Sequence, residues 1–421
     1  MFKVALSGDF LKDDGTFAYP DIDLNLLNHK NIEWKIIDTS PEIKSEELEG
    51  YDALILLGHR FTKNSAPKDK KLSVISRFGV GYDSVDLDAC NDNSIALVIT
   101  PDGIRRPVAV SVMAFILSLT GNMFIKDKIT RNGQWDSRSE YMGKGIVDKT
   151  LGFVGFGNIG AEIVKLAKVF DMNFIAYDPY ADKKKLEDLG VKVCEINEVF
   201  KNADILSINC ALTEETRHIV NEERLSLMKK SSYLINTSRG PVVDQNALYN
   251  ILSENKIAGA GLDVFETEPL EMDDKILKLD NTILAPHSLC WTDQMFYQCG
   301  KDDIDAAKNV MEGKIPKNIV DIYKDRIMNI HPSLLPKFGG KGFYGMKVHN
   351  AAIKSNEKNS GATVHLVNGE YDKGKVIIQE KVKINASDTA ETLASKVLKI
   401  EHQIYPKAIE IFFSDNFKTQ Q

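Results

Sequence analysis

The chain has 421 residues, 43% hydrophobic and 27% charged, with a formal net charge of −7. That length suggests two or three domains, and the composition is that of an ordinary soluble globular protein. The negative balance argues against nucleic acid as a main partner. The longest apolar candidate, Val108 to Leu119, contains Ser111 and Ser118 and is short for a membrane span, so no membrane partner is expected.

The N-terminal Met-Phe-Lys-Val-Ala-Leu enters a strand at once and carries no cleavage signal. Five scattered cysteines (Cys90, Cys194, Cys210, Cys290, Cys299) form no Cys-x-x-Cys pair. They read as reduced thiols of a cytoplasmic protein, with neither a disulfide framework nor a metal site. Strands are expected at Lys3 to Ser7, Ile32 to Ile37, Ala53 to Leu57, Val74 to Arg77 and Ala96 to Ile99, with polar helical stretches between them. Pro101 is expected to open a loop, and Val108 to Ile125 to form a mostly apolar helix.

Residues 151–160 read Leu-Gly-Phe-Val-Gly-Phe-Gly-Asn-Ile-Gly, a short apolar strand running into Gly155, Gly157 and Gly160. An amphipathic helix (Ala161 to Phe170) and a second apolar strand (Asn173 to Tyr177) follow, ending on Asp178. A dinucleotide site needs each part. Gly155 allows the tight turn, Gly157 lets backbone approach a pyrophosphate, and Gly160 lets helix pack on strand. Asp178 can accept hydrogen bonds from a ribose and would repel a 2′-phosphate, which favours NAD over NADP.

Strands are expected to continue at Ile205–Asn209, Tyr233–Asn236, Gly259–Asp263 and Thr282–Leu284. A helix from Thr292 to Met311 would return to the first domain. The predicted fold is therefore α/β, with two doubly wound parallel-sheet domains and a cleft between them. A discontinuous flavodoxin-like substrate domain would take residues 1–101 and 290–325, and a Rossmann domain 102–289.

Three strand-end motifs converge on one chemistry. Arg239, between a strand end and Gly240, is placed to clamp a carboxylate with its fork of donors. His287, after Ala285-Pro286, suits an acid/base near neutral pH, and Glu268 beside it would fix its tautomer. Singly, such an arginine is as easily a solvated surface group and such a histidine a packing residue. Their joint occurrence after a dinucleotide fingerprint points to hydride-transfer chemistry.

With Arg77-Phe-Gly-Val-Gly-Tyr-Asp-Ser-Val-Asp86, Ser238-Arg239-Gly240, Leu262-Asp263-Val-Phe-Glu-Thr-Glu268-Pro269 and Pro286-His287, residues 1–325 resemble the NAD-dependent D-2-hydroxyacid dehydrogenases, the family containing phosphoglycerate dehydrogenase. The resemblance implies that Arg239 binds and polarises the substrate, that His287 exchanges the hydroxyl proton and that Glu268 supports it. It further implies that Gly79, Val80 and Gly81 hold the carboxylate, and that Asn158, Ile159, Thr237 and Asp263 join Gly155, Gly157, Gly160 and Asp178 around NAD. A homodimer is the assembly it implies. Two departures stand out. Ser288-Leu-Cys-Trp291 replaces a small, glycine-rich segment, and Arg105, Arg106 and Arg60 add positive charge that suits a phosphorylated substrate, a mere surface or a dimer contact equally well.

Residues 326–421 carry 14 Lys+Arg and 9 Asp+Glu, unlike the acidic part before them. Asn329-Ile-His331-Pro-Ser-Leu-Leu-Pro336, Lys347-Val-His349, Gly361-Ala-Thr-Val-His365 and Tyr371-Asp372 resemble glycinamide ribonucleotide formyltransferase. The resemblance assigns Asn329, His331 and Asp372 to formyl transfer from a formyl-folate. Only the second half of that fold is represented: a strand pair (Thr363–Val367, Val376–Ile384), a helix (Thr389–Phe413) and little core. The expected function is interconversion of a D-2-hydroxy acid (3-phosphoglycerate or a related small acid) and its 2-keto acid. A formyltransferase activity of the C-terminal part and a non-catalytic NAD-binding fusion stay open as alternatives, the latter if Trp291 blocks the pocket.

Overall fold

Five short apolar runs, β1 (Phe2–Leu6), β2 (Ile32–Ile36), β3 (Ala53–Leu56), β4 (Val74–Arg77) and β5 (Ala96–Ile99), pair in parallel in the order β2-β1-β3-β4-β5. Ala53-Leu-Ile-Leu is buried throughout, as expected for a strand covered on both faces. A second, seven-stranded parallel sheet takes β6 (Thr150–Val154), β7 (Asn173–Tyr177), β8 (Val191–Val193), β9 (Ile205–Ile208), β10 (Tyr233–Asn236), β11 (Gly259–Leu262) and β12 (Thr282–Leu284). Its order is β12-β11-β10-β9-β6-β7-β8, so strand order reverses between β6 and β9, where doubly wound sheets open a ligand crevice.

The structure, a computed structural model, describes residues 1–316, 318–319, 327–340, 342–355, 357–367 and 372–418, the last five by backbone alone. Internal contacts divide it into Met1–Ile304 and Asp305–Gln421.

Two expectations for the first sheet are corrected. The links between β1, β2 and β3 are short 3-10 turns (Gly8–Phe10, Leu24–Leu27, Ser45–Glu47) where polar helices were expected. Pro20 and Pro41 lack the N–H that a longer helix needs there. Pro101 opens no loop: it is the first residue of a 20-residue helix, Pro101–Thr120, a position where its missing N–H costs nothing. That helix is long and apolar enough to cross a membrane, which corrects the shorter run read from sequence. Ala109, Val112, Phe115 and Ile116 are nonetheless buried in the core that also holds Phe153 and Ile235 of the second sheet, as in a core helix.

Helix Asp293–Met311 packs on the first sheet. Ser76 Oγ donates to Asp303 Oδ1 at 2.6 Å, Phe296 stacks on Tyr19, and Gly103 lies against Cys299. Burial pushes the Asp303 carboxyl well above its usual range, against the Ser76 hydrogen bond that favours its charged form.

Among the described residues the C-terminal unit has three strands where two were expected: β13 (Met328–His331), β14 (Asn359–Leu366) and β15 (Val376–Lys383), antiparallel in the order β13-β14-β15. Asn329-Ile-His331 is itself the added strand. Its alternation sends Met328 and Ile330 to a core with Ala352, Val364, Leu393 and Val397, while Asn329 and His331 face the other way. Tyr371 and Tyr323 lie outside the described residues. Ending the chain after Tyr323 removes none of the core that holds both parallel sheets, so the shortened protein keeps a cooperative thermal transition and NADH binding. Circular dichroism melting and NADH fluorescence titration check this.

Candidate active site

Every candidate group in Met1–Ile304 sits at a carboxyl end of a parallel strand. Gly155 follows β6 with φ +81°, and a Cβ there would run into the Cys210 backbone after β9. Only glycine fits both demands. A Cβ on Gly157 would meet nothing within 4 Å, so open space faces the first turn of helix Asn158–Ala167, whose leading N–H groups point outward. Asn158 and Ile159 are the first residues of that turn, and Gly160 is buried against Phe156.

Asp178 Oδ2 accepts from Phe156 N–H at 2.7 Å and Oδ1 from Tyr180 N–H at 2.9 Å. The acid thus fixes the glycine turn as well as offering its remaining lone pairs to a ribose. Thr237 Oγ1 is buried with no hydrogen-bond partner among the described residues, a polar atom suited to a ligand. These features fit a dinucleotide.

His287 and Glu268 meet as the motifs suggested: Nδ1 lies 2.7 Å from Glu268 Oε2. His287 holds a left-handed backbone, φ +53°, uncommon for a non-glycine residue and frequent at functional sites. Glu268 Oε1 also accepts from Phe265 N–H. Burial pushes the Glu268 carboxyl up, but the His287 bond and charge, aided by Arg239, hold it below its usual value. Assigning the Nδ1 proton to this bond leaves Nε2 for a reacting oxygen. Asp263, buried, accepts from Ser288 and Leu289 N–H and so anchors the segment after His287; burial raises its carboxyl, against those two bonds. A cavity of about 590 Å³ opens beside the pair, lined by Phe265, Leu270, Leu277 and Leu284.

Asn236 shapes the arginine turn. Its Oδ1 accepts from Ser238 N–H and Oγ–H, and its Nδ2 donates to the Arg239 carbonyl. Arg239 Nε donates to Asp83 Oδ1 at 2.8 Å, Nη1 donates to the Ser238 carbonyl, and Nη2 overhangs Gly81. Gly81 therefore lies under the Arg239 guanidinium, while Gly79 faces Arg77. The Gly79 N–H, however, is already given to Thr100 Oγ1 at 2.7 Å, so the loop's carboxylate donors reduce to Val80 and Gly81. Arg77, nearly buried and with Nε unpartnered among the described residues, lies against Gly79; burial and the Arg239 charge lower it to about 10.

A methyl at Gly81 would overlap the Arg239 guanidinium, the mobile end of a side chain that can swing away. Gly81→Ala therefore keeps its melting temperature and NADH affinity but raises the KM for a 2-oxo acid by about 10-fold or more. Steady-state kinetics check the split.

Arg105 pairs with Asp102 and Arg106 with Glu162 at 2.7 Å, which accounts for both without a substrate phosphate. Trp291 packs edge-on against Tyr19 and Phe296, with ring centroids 5.3 and 5.5 Å away. Asp83 and Arg77 stand inside a motif quoted above and Asn236 ends an expected strand, yet nothing in the sequence separated them from their neighbours.

In the C-terminal unit, Asn329, His331 and Asp372 do come together, with His365 between them. Asp372 lies 3.5 Å from both His331 Nδ1 and His365 Nε2, and Asn329 Nδ2 lies 3.4 Å from His365 Nε2. His331 Nε2 faces the Phe338 carbonyl at 2.8 Å. Burial and the His331 charge lower His349, whose Nδ1 has no partner among the described residues.

The model of the D-isomer specific 2-hydroxyacid dehydrogenase NAD binding domain matches residues 113–288, and that of formyl transferase residues 313–409. The chain is 37% identical over 295 residues to D-3-phosphoglycerate dehydrogenase of Methanocaldococcus jannaschii, covering 69% of this chain but only 56% of that protein. It is 35% identical to glyoxylate reductase of Korarchaeum cryptofilum, covering 68% of this chain and 88% of the relative. Among solved structures it is similar to D-lactate dehydrogenase of Aquifex aeolicus complexed with NAD and lactic acid, with 28% identity, a TM-score of 0.65 and coverage of 74% and 96%. With its glycine turn, arginine and histidine–glutamate pair on two parallel sheets, the chain belongs to the D-isomer specific 2-hydroxyacid dehydrogenase family.

Proposed function

We propose that the protein interconverts a small D-2-hydroxy acid and its 2-oxo acid with NAD as cofactor. The observation that carries this reading is the 2.7 Å bond between His287 Nδ1 and Glu268, in a chain whose Arg239 is turned over Gly81. When bound against Gly155, Gly157, Asn158, Ile159, Gly160, Asp178 and Thr237, NAD supplies the hydride acceptor or donor. Arg239 and the Val80 and Gly81 N–H groups hold the carboxylate and orient the neighbouring carbonyl. His287 Nε2 gives a proton to that carbonyl oxygen, or takes it from the hydroxyl, and Glu268 stabilises the imidazolium and its orientation. Asp263 keeps the His287 segment in place. The domain boundaries 1–101 with 290–325, 102–289 and 326–421 accompany this reading.

The assembly we propose is a homodimer. Support comes from apolar side chains open to solvent along residues 121–149: Phe124 (61% exposed), Trp135 (62%) and Met142 (75%). The cytoplasm is the proposed location, in keeping with five free cysteines.

NADH oxidation over a panel of 2-oxo acids, with and without a phosphate group, tests the reading. Turnover of at least one is expected, and none across the panel would contradict it.

A second reading, formyl transfer, rests on the cluster of Asn329, His331, His365 and Asp372. Asn329 is turned to His365, and the family model covers only residues 313–409. No transfer from a formyl-folate to glycinamide ribonucleotide is expected from the purified chain. Turnover that Asp372→Asn abolishes would overturn that expectation.

A further inference from the structure

Two guanidinium groups and one carboxylate gather where the loops after β4 and β10 approach. Arg239 comes from the second sheet, Arg77 and Asp83 from the first. Two bonds hold the Arg239 fork with its Nη2 edge over Gly81: Nη1 donates to the Ser238 carbonyl of its own turn, and Nε donates to Asp83 Oδ1 at 2.8 Å, the one restraint that comes from the first sheet. Asp83 faces both cations: burial pushes its carboxyl up, while the charge and hydrogen bond of Arg239, and the charge of Arg77, hold it below its usual value.

We propose that Asp83 is a positioning residue for substrate binding: by holding Arg239 Nε across the cleft, it aims the Nη edge of Arg239 at the substrate carboxylate. The proposal rests on Arg239 binding that carboxylate. Asp83 is 48% exposed on its side chain, so the pair adds little to stability. Its contribution is orientation.

A double-mutant cycle in the full-length protein tests this, with glyoxylate as the reduced substrate and oxamate as a non-reacting carboxylate titrated onto the NADH-loaded protein. Asp83→Asn is expected to raise the glyoxylate KM and the oxamate Kd by about 10- to 100-fold. Its kcat stays within about 2-fold, and NADH affinity and melting temperature are unchanged. Asp83→Glu should recover part of the loss. In an Arg239→Ala background, Asp83→Asn should cost nothing more. An unchanged Kd in Asp83→Asn overturns the proposal, as does an equal loss in both backgrounds. If Arg239→Ala alone leaves the oxamate Kd unchanged, the fault lies in the assignment of Arg239, and the proposal falls with it.

Discussion

His287→Gln lowers kcat by about 10²–10⁴, the usual cost of removing a positioned acid/base, while NADH binding stays as it was. Glutamine keeps a polar group near Glu268 Oε2, so the loop after β12 holds its shape, but no proton can be exchanged at the position of Nε2. Asp263 holds the following segment through Ser288 and Leu289, which further separates loss of chemistry from loss of fold. Glu268→Gln should show a smaller loss, because the imidazole keeps its proton but loses the charge that favours imidazolium. Rapid-mixing measurement of NADH oxidation beside an equilibrium NADH titration separates the two effects. A His287→Gln enzyme of near-normal turnover would remove His287 from the mechanism.

NADH is expected to be preferred over NADPH by about 10²–10³ in kcat/KM, because a phosphate beside the Asp178 carboxylate would cost several kcal/mol and every 1.4 kcal/mol is tenfold. Asp178 has a second task, which sets what its replacement does. Its two oxygens hold Phe156 and Tyr180 N–H, so Asp178→Ser both relaxes the discrimination and loosens the glycine turn. NADH affinity should fall while NADPH affinity rises or holds, and adding an arginine nearby should move the preference further. Equal efficiency of the wild type with both cofactors would contradict the role given to Asp178.

The glycine turn was legible because it is local. Strand, three glycines, helix and acid follow one another within about thirty residues, and each glycine answers a backbone demand. Glu268 and His287 were legible for a different reason: they lie in the loops after β11 and β12, and the loops that follow strands of a parallel sheet share one edge. Asp83 and Arg239 were not. They are 156 residues apart, and the contact depends on how two sheets face each other, which no spacing encodes. The same limit hid the Thr100 hydroxyl that takes the Gly79 N–H, a bond between the loop after β4 and the residue following β5. Pro101 misled because proline ends helices and also begins them; its helix is decided by the apolar face of Val108 to Leu119 behind it. In the C-terminal unit, Met328–His331 was read for its chemistry and passed over as a strand. Four residues with one β-branched side chain give a weak signal, and only pairing with β14 makes them a strand.

The central claim is that this site exchanges hydride with the D-configured carbon of a small 2-hydroxy acid. Reduction of NAD in the presence of separate D and L enantiomers of lactate and glycerate tests it most directly. NADH formation with at least one D enantiomer, none with the corresponding L enantiomer, and loss of that signal in His287→Gln is the predicted result. Oxidation of L enantiomers, or activity that survives His287→Gln, would contradict it.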